Sequence, residues 1–460
     1  MAVTLVLTDS IAQELRIAAL ESVESAAVIL ARPVATASGL RLLSRTVRWV
    51  SAEHYLRREA YALSIASLGY VHALSEAERD GCVPIWFHTH PGIGSDPSPS
   101  THDHGVDADI ASLFRDRSGS AYYGALIVAP RALGFAFTGF VENEAGMRDA
   151  IDRVWIVGDR LTLIKPFGSN NAEARQEFDR SVRAFGPAIQ STLASLRLAV
   201  VGCGGTGSAV AEQLVRLGVR HITLIDPDVL SESNVTRVYG SRPDLVGQAK
   251  VDLLAKHLEA IAPDATVSRV KGLITRRTVA ARLFECDVVF GCTDDNAGRL
   301  VLSRLSTYLL TPVFDCGVLL SSDADDGLVG IDGRVTTLVP GQGCLICRNR
   351  VDLARAAAES LPRDEHQRRV GEGYAPALGG IEPAVITFTT TVAALAVTEL
   401  LERLIGFGDT PRPSELLYRG HDRQLSINRC QPRPGHYCDP DSNRLGLGMT
   451  DPPLEQTWPD

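Results

Sequence analysis

Residues 198–228, LAVVGCGGTGSAVAEQLVRLGVRHITLIDPD, decide the fold of the larger part of this chain. Leu198–Val201 is a continuous apolar run, the pattern of a parallel strand buried on both faces. Gly202, Gly204 and Gly207 complete G-x-G-x-x-G, with Gly205 as an additional glycine. Ser208–Gly218 then carries helical apolar spacing, and a second apolar run, His221–Ile225, ends at Asp226. Glycines belong in such a turn because the backbone must bend sharply and approach a phosphate closely. The helix behind them offers free N–H groups and positive potential. Strand, glycine turn, helix, strand and acid follow in that order, which predicts a nucleotide site on a parallel α/β sheet.

The chain has 460 residues, more than one typical core accommodates, so two or three domains are expected. Its 45% hydrophobic and 22% charged residues are those of a soluble globular protein. A net charge of −9 argues against a general nucleic-acid or anionic-membrane surface. The opening MAVTLVLTDS lacks the basic region and cleavage pattern of a signal peptide, and no run of about 18 apolar residues occurs. No membrane span is therefore expected. Nine cysteines, several inside apparent strands, fit a reducing cytoplasm with thiols or metal ligands rather than a disulfide framework.

Residues 1–168 read as a mixed α/β domain. Ile11–Leu20 is an amphipathic helix candidate, and Ala26–Ala31, Leu40–Val50, Ile85–His88 and Ala125–Ala129 are strand candidates. The informative stretch is Ile85–Asp109, IWFHTHPGIGSDPSPSTHDHGVDAD. His88 and His90 stand at i and i+2, on one face of an extended strand end, where two imidazoles can meet one ion. After a Gly/Pro/Ser loop, Ser100-Thr101-His102-Asp103 opens a helix, and Asp103 completes a His₂Asp set. Three protein ligands leave a fourth position for water, the open geometry of catalytic zinc. His102, His104, Asp107 and Asp109 are secondary metal candidates, more often solvated loop or helix-start positions.

This stretch resembles the JAMM/JAB (MPN-type) metallo-isopeptidases, whose pattern is a distant Glu, H-[ST]-H-P, a spacer and S-x-x-D. His88-Thr89-His90-Pro91 and Ser100–Asp103 match it, with a spacer of nine residues, two longer than the commonest form. The resemblance implies zinc on His88, His90 and Asp103, Ser100 as stabiliser of the tetrahedral intermediate, and Glu24 as general base. Ala27 stands where that family usually has Gly, and Glu21 lies close by.

The polar stretch Ser169–Ala174 is the expected join, and residues 169–440 form the second domain. After Asp226 come Asp228, Ser233-Asn234-Val235-Thr236-Arg237, Lys250 and Cys292-Thr293-Asp294. Arg and Lys beside a glycine cradle neutralise a triphosphate, and a carboxylate after a strand holds Mg²⁺. Hydride transfer needs no such set. These motifs resemble the ThiF/MoeB/ubiquitin-activating superfamily over about Glu177 to Cys438. The resemblance implies that Gly202, Gly204, Gly205 and Gly207 cradle ATP with Asp228 beside them, that Asp226 holds the ribose, that Asn234, Arg237 and Lys250 contact phosphates, and that Asp294 binds magnesium. It also implies that Arg180, in Phe178-Asp179-Arg180-Ser181, reaches into a partner subunit's site. The reaction implied is attack of a protein C-terminal glycine carboxylate on the ATP α-phosphate.

Cys344-x₂-Cys347 has the spacing of half a structural zinc site. The resemblance implies a second cysteine pair near the C-terminal end, for which Cys430 and Cys438 are the candidates, with His436 between them as the alternative donor. The resemblance implies that a thioester-forming member carries its nucleophilic Cys within residues 348–386, which contain none, so a thioester here would have to use Cys344 or Cys347. Cys316 reads as strand-buried packing. Glu382–Ile405 reads as a buried helix, which the resemblance places at a homodimer interface. Residues 441–460, rich in Pro and Asp, are expected to be disordered.

The expected fold class is α/β, a JAB-type metallopeptidase domain followed by a Rossmann-like ThiF-type adenylation domain. The function expected is ATP-dependent adenylation of the terminal glycine of a ubiquitin-like β-grasp protein, joined to a zinc peptidase that trims precursors or removes conjugates. A conjugating-type enzyme is a further partner. Sulfur-carrier activation for thiocarboxylate formation and a non-catalytic assembly scaffold are the alternatives, with a Rossmann dehydrogenase behind them.

Overall fold

The period-two alternation in the first domain and the apolar runs in the second build the two large sheets, of nine and eight strands. The computed structural model describes residues 1–169, 176–323, 327–372, 375–376, 378 and 384–459. Two compact units result: Met1–Asn170 with Leu445–Met449, and Asn171–Arg444 with Thr450–Asp460. Apart from Ser169, the expected join at 169–174 lies outside the described residues.

The first unit begins β1 (Val3–Thr8), α1 (Asp9–Ala19), β2 (Ala26–Thr36) and β3 (Gly39–Trp49). A small hairpin, β4 (Tyr55–Arg58) and β5 (Leu63–Ile65), leads to α2 (Leu68–Asp80), β6 (Val83–Thr89) and α3 (Thr101–Ser118). Strands β7 (Tyr122–Pro130), β8 (Phe135–Asn143), β9 (Arg148–Ala150), β10 (Arg153–Val157) and β11 (Leu161–Ile164) complete it. The mixed sheet runs β11-β10-β1-β3-β2-β6-β7-β8-β9. Alternation on β2 and β6 sends Ala27, Ile29, Ile85 and Phe87 into a core with α1's Ile11 and Leu15. The opposite parity, Ala26, Val28, Leu30 and Trp86, packs with Leu74 of α2 and Phe114 of α3. His88 has the parity of Trp86 and faces Ala26 in the register of β2 and β6.

In the second unit two short helices, α4 (Asp179–Phe185) and α5 (Pro187–Ser195), lead into the sheet. The break is at Gly186, at φ +84° immediately before Pro187. Then follow β12 (Arg197–Val201), α6 (Gly205–Arg216), β13 (His221–Ile225), α7 (Lys250–Ile261), β14 (Thr266–Val270), α8 (Arg277–Ala280) and β15 (Val288–Gly291). After them come α9 (Asn296–Tyr308), β16 (Val313–Ser322), β17 (Leu328–Leu338), α10 (Leu353–Glu359) and α11 (Arg363–Gly371). The unit closes with α12 (Ile386–Ile405), β18 (Glu415–Arg419) and β19 (Gln424–Asn428). Five parallel strands, β14-β13-β12-β15-β16, continue into antiparallel β17, β18 and β19. The chain winds outward from β12 first to one side and then to the other, so the strand order reverses beside β12. In open α/β sheets a ligand crevice opens at the carboxyl ends of the strands at such a point. Helix α12 buries Val392, Ala393, Ala396 and Leu400; residues 382 and 383 of the expected helix lie outside the described residues. Among the described residues no helix is long and apolar enough to cross a membrane.

The tail corrects an expectation. Within the first unit Arg32 donates to the carbonyls of Leu447 at 3.0 Å and Met449 at 3.2 Å. Within the second, Leu454 is buried, Arg304 donates to its carbonyl at 2.8 Å, and the Tyr308 hydroxyl donates to Glu455 at 2.9 Å. Residues 441–459 are thus ordered by side chains that satisfy backbone carbonyls, which composition does not reveal; residue 460 lies outside the described residues.

The antiparallel extension is pinned by a buried carboxylate. Glu415 accepts from Arg350 through Nε at 2.9 Å and Nη2 at 2.8 Å, and from Thr336 and Asn428 at 2.9 Å each. Burial would raise its pKa, but these donors hold it at about 2 against the usual 4.5. A pKa depressed by folding contributes stability that is complete above about pH 5 and fades as pH falls towards the folded value. Glu415→Gln should cost about 3 kcal/mol near neutrality. In urea titrations across pH, the gap between wild type and variant should close as pH falls from 4.5 to about 2.

Candidate functional site

The glycine turn joins β12 to α6. Gly202 sits at φ +92°, and a Cβ there would lie 2.6 Å from the Cys292 carbonyl oxygen. A Cβ at Gly207 would stand 1.7 Å from the Gly202 carbonyl oxygen, so no side chain fits. At Gly204, by contrast, a Cβ would meet nothing within 4 Å. The turn is therefore open at Gly204 and closed by backbone at Gly202 and Gly207.

Charged groups enter from the ends of β13 and β15 and from the loop and helix that follow β13. Asp226, just beyond β13, is buried and accepts from the backbone N–H of Cys203 at 2.6 Å and of Asp228 at 2.8 Å. Burial raises its pKa, with nearby Lys250 opposing. Lys250 opens α7; its Nζ lies 2.8 Å from exposed Asp228 and 4.0 Å from Asp226. Asn234 is buried in a reciprocal cap with Ser231. The Arg237 backbone bonds to the Asn234 carbonyl, and its side chain lies 3.4 Å from where a Gly205 Cβ would be. On the other flank Cys292 donates to Val201 at 2.7 Å, which sets the loop bearing exposed Asp294 beside the turn. Asp295, which sequence reasoning passed over, caps α9 by accepting from Gly298 at 2.5 Å.

Arg180 is not brought to this cradle. Phe178, two residues earlier, packs on Gly218 beyond the far end of the 12-residue α6, and Arg180 itself is exposed.

A model of the ThiF family matches residues 178–439, more than half of the chain. The chain belongs to the ThiF family. It is 30% identical over 225 residues to ubiquitin-like modifier-activating enzyme 5 of Oryza sativa subsp. japonica, covering 46% of this chain and 48% of that protein. To molybdopterin-synthase adenylyltransferase of Escherichia coli it is 32% identical over 164 residues, 35% of this chain and 62% of that protein. It thus spans less than two thirds of either relative. Among solved structures, E. coli MccB with ATP superposes with a TM-score of 0.46 at 16% identity, over 58% of this chain and 75% of that one. ThiF-family adenylyltransferases use ATP, with Mg²⁺ typical.

The ThiF unit also holds a group of four metal-type donors. Cys344, Cys347, His436 and Cys438 place one ligand atom each within 4.8 Å of the others. Nδ1 of His436 lies 3.5 Å from Cys344 and Cys347 and 3.3 Å from Cys438, and Cys347 and Cys438 are 3.6 Å apart. A tetrahedral zinc ion at its usual bond lengths sets S···N edges of about 3.6 Å and S···S edges of about 3.8 Å. The Arg433 backbone donates to Cys347 at 3.4 Å, a further fit to a thiolate. Cys430, expected as the fourth donor, is outside this group; its thiol faces the Gln431 carbonyl at 3.3 Å, and His436 takes the place. The turn Pro434–His436 brings the imidazole inward, which spacing between cysteines could not show.

Outside the ThiF match, His88, His90 and Asp103 also converge. Nε2 of His88 lies 3.3 Å from Asp103 Oδ1, and Nε2 of His90 lies 3.9 Å from Oδ2. His88 Nε2 is buried without a hydrogen-bond partner, as suits a nitrogen meant for an ion. His90 is turned by its other nitrogen, Nδ1, which bonds the Asp96 carbonyl at 2.6 Å. Ser100 caps α3: its Oγ accepts from Asp103 N at 3.2 Å, while Asp103 accepts from Ser100 N at 2.6 Å. Against the burial that would raise it, the His88 imidazole 3.3 Å away and the bond from Ser100 hold the Asp103 carboxyl below its usual range. Glu24 lines the same groove as His90 and Ser100, and burial raises it to about 7. Its backbone is fixed by the hairpin: Glu24 N donates to Glu59 at 2.9 Å, and Arg58 donates to the Glu24 carbonyl at 2.9 Å. No sequence signal pointed to Arg58. Of the secondary candidates, Asp107 accepts from the Tyr123 hydroxyl at 2.6 Å, and neither it, His102, His104 nor Asp109 joins the group.

The two glycines separate structural from binding demands. Gly204→Ala should leave thermal stability unchanged or slightly raised and weaken ATP binding. Gly207→Ala should lower stability by about 2 kcal/mol or more, because backbone must shift. Thermal melts with and without ATP check both.

Proposed function

We propose that the ThiF unit adenylates the C-terminal glycine of a ubiquitin-like or sulfur-carrier β-grasp protein. The convergence of Asp226, Asn234, Arg237, Lys250 and the Asp294 loop on the Gly202–Gly207 turn carries this reading. Asp226, rigidly held by two backbone N–H groups, hydrogen-bonds the ribose. The free amides at the start of α6, with Arg237 and Lys250, receive the phosphates. Asp294 and Asp228 are the exposed carboxylates available to Mg²⁺, which when bound withdraws charge from the triphosphate. The glycine carboxylate oxygen forms a bond to the α-phosphorus as the bond to the β-phosphate oxygen breaks, giving acyl-adenylate and pyrophosphate. Positioning and charge neutralisation are the chain's contribution. Arg180 serves the cradle of a second copy in a homodimer that includes α12.

The acyl-adenylate passes to an acceptor outside this chain. Cys344 and Cys347, the residues a thioester would require, sit among the four metal-type donors, and Cys316 is buried in β16. Sulfide, giving a thiocarboxylate, and the thiol of a conjugating-type enzyme are the two acceptor readings.

The first unit supports a JAMM-type zinc peptidase that acts on the same kind of glycine-terminated tail, trimming precursors or removing conjugates in a cytoplasmic setting. His88, His90 and Asp103 would hold the zinc, which supplies an activated water. Glu24 takes the water's proton and returns it to the leaving nitrogen, and the Ser100 hydroxyl donates to the developing oxyanion.

Pyrophosphate exchange into ATP should depend on a β-grasp protein ending in glycine and fall at least about a hundredfold in Lys250→Ala. Exchange with no such protein overturns the reading. The full chain should bind two zinc ions. Cys438→Ala and His88→Ala should each lose one by atomic emission, whereas Cys430→Ala keeps both. Glu24→Gln should keep both ions and lose tail cleavage.

A further inference from the structure

Two cavities of the first unit meet at His102 and Asp103. The larger, about 580 Å³, is the groove that holds Glu24, His90 and Ser100. The smaller, about 200 Å³, shares Leu63, Ser64, His102 and Asp103 with it and reaches His88. Its other walls are apolar: Ile65 of the hairpin, Tyr70 of α2, Trp86 of β6, and Val106 and Ile110 of α3. All but Trp86 are only half-buried, so three elements leave apolar surface unfilled around one space. The inner end cannot collapse. Trp86, Tyr70 and Phe114 pack edge-on or tilted at centroid distances of 5.2 to 6.2 Å, a fixed aromatic floor. The acids that touch the space do not make it a cation pocket, since Asp107 is buried against Tyr123 and Asp109 is exposed to solvent.

We propose that this smaller cavity is a specificity pocket for one large apolar side chain of a peptide substrate, next to the bond cleaved at the His88–His90–Asp103 site. The proposal rests on the peptidase reading above and sharpens it. An apolar cavity of about 150 Å³ holds a benzene ring, so this one takes a leucine, methionine or phenylalanine side chain. A terminal glycine has nothing to place there, so the pocket takes the residue on the leaving side of the scissile bond. A lysine stem in an isopeptide must run on to the main chain of a second protein, and the aromatic floor closes that way. The site is therefore built for a linear precursor whose extension begins with an apolar residue. Water attacks the glycyl carbonyl, the C–N bond breaks, and the proton goes to the amine of that residue.

The test uses the full chain loaded with zinc and quenched fluorescent peptides in which Gly-Gly is followed by Leu, Phe, Ala, Asp or Lys. Burying one such side chain is worth about ten- to a hundredfold in kcat/KM for Leu or Phe over Asp or Lys. Ile110→Trp, which fills the pocket, should abolish the preference, with retention of bound zinc as the check on folding. Val106→Phe repeats the test should Ile110→Trp fail to fold. Equal cleavage of all peptides, a preference for Lys, or a preference that survives both fillings overturns the pocket and leaves the peptidase standing. Cleavage of none by the zinc-loaded protein overturns both.

Discussion

The passage of Gly207 directly against the Gly202 carbonyl is the constraint on which the second unit depends. Because no side chain fits between them, α6 can start hard against the end of β12, and its first amides point out over the sheet. The reversal of strand order beside β12 puts that helix end at the carboxyl edge of the parallel strands, the place where open α/β sheets receive ligands. Asp226 turns its buried carboxylate on the turn itself by accepting the Cys203 amide. One carboxylate thus fixes the loop and its neighbour, accepting the amides of Cys203 and Asp228.

The same economy of geometry governs the first unit. Strand parity alone puts His88 on the side of the sheet that α3 covers, and the cap at Ser100 aims Asp103 back at it. The capping pair, Ser100 and Asp103, is at once the start of a helix and part of the donor group. The hairpin β4–β5 then holds the Glu24 backbone from both sides. In each unit polar side chains do two tasks, holding backbone and facing the site, which keeps buried charge paired with a donor.

Much of this was legible because it is local. Apolar runs and parity placed β2, β6, β7, β12 and β13, and glycines and acids at strand ends placed the cradle. What escaped the sequence depends on contacts between distant residues. His436 replaces Cys430 because a turn rotates an imidazole inward. The tail packs because Arg32 and Arg304 satisfy its carbonyls. Arg58 holds Glu24 across 34 residues of chain, and no periodicity signals such a bond. The break between α4 and α5 could have been read from Gly186-Pro187.

The most direct test of the account is a crystal structure of the full chain grown with MgATP and zinc. It should show the triphosphate over the amides at the start of α6, the ribose on Asp226, and Arg237 and Lys250 on the phosphates. A nucleotide bound elsewhere, or a cradle in which Arg237 and Lys250 turn away from the triphosphate, would contradict it.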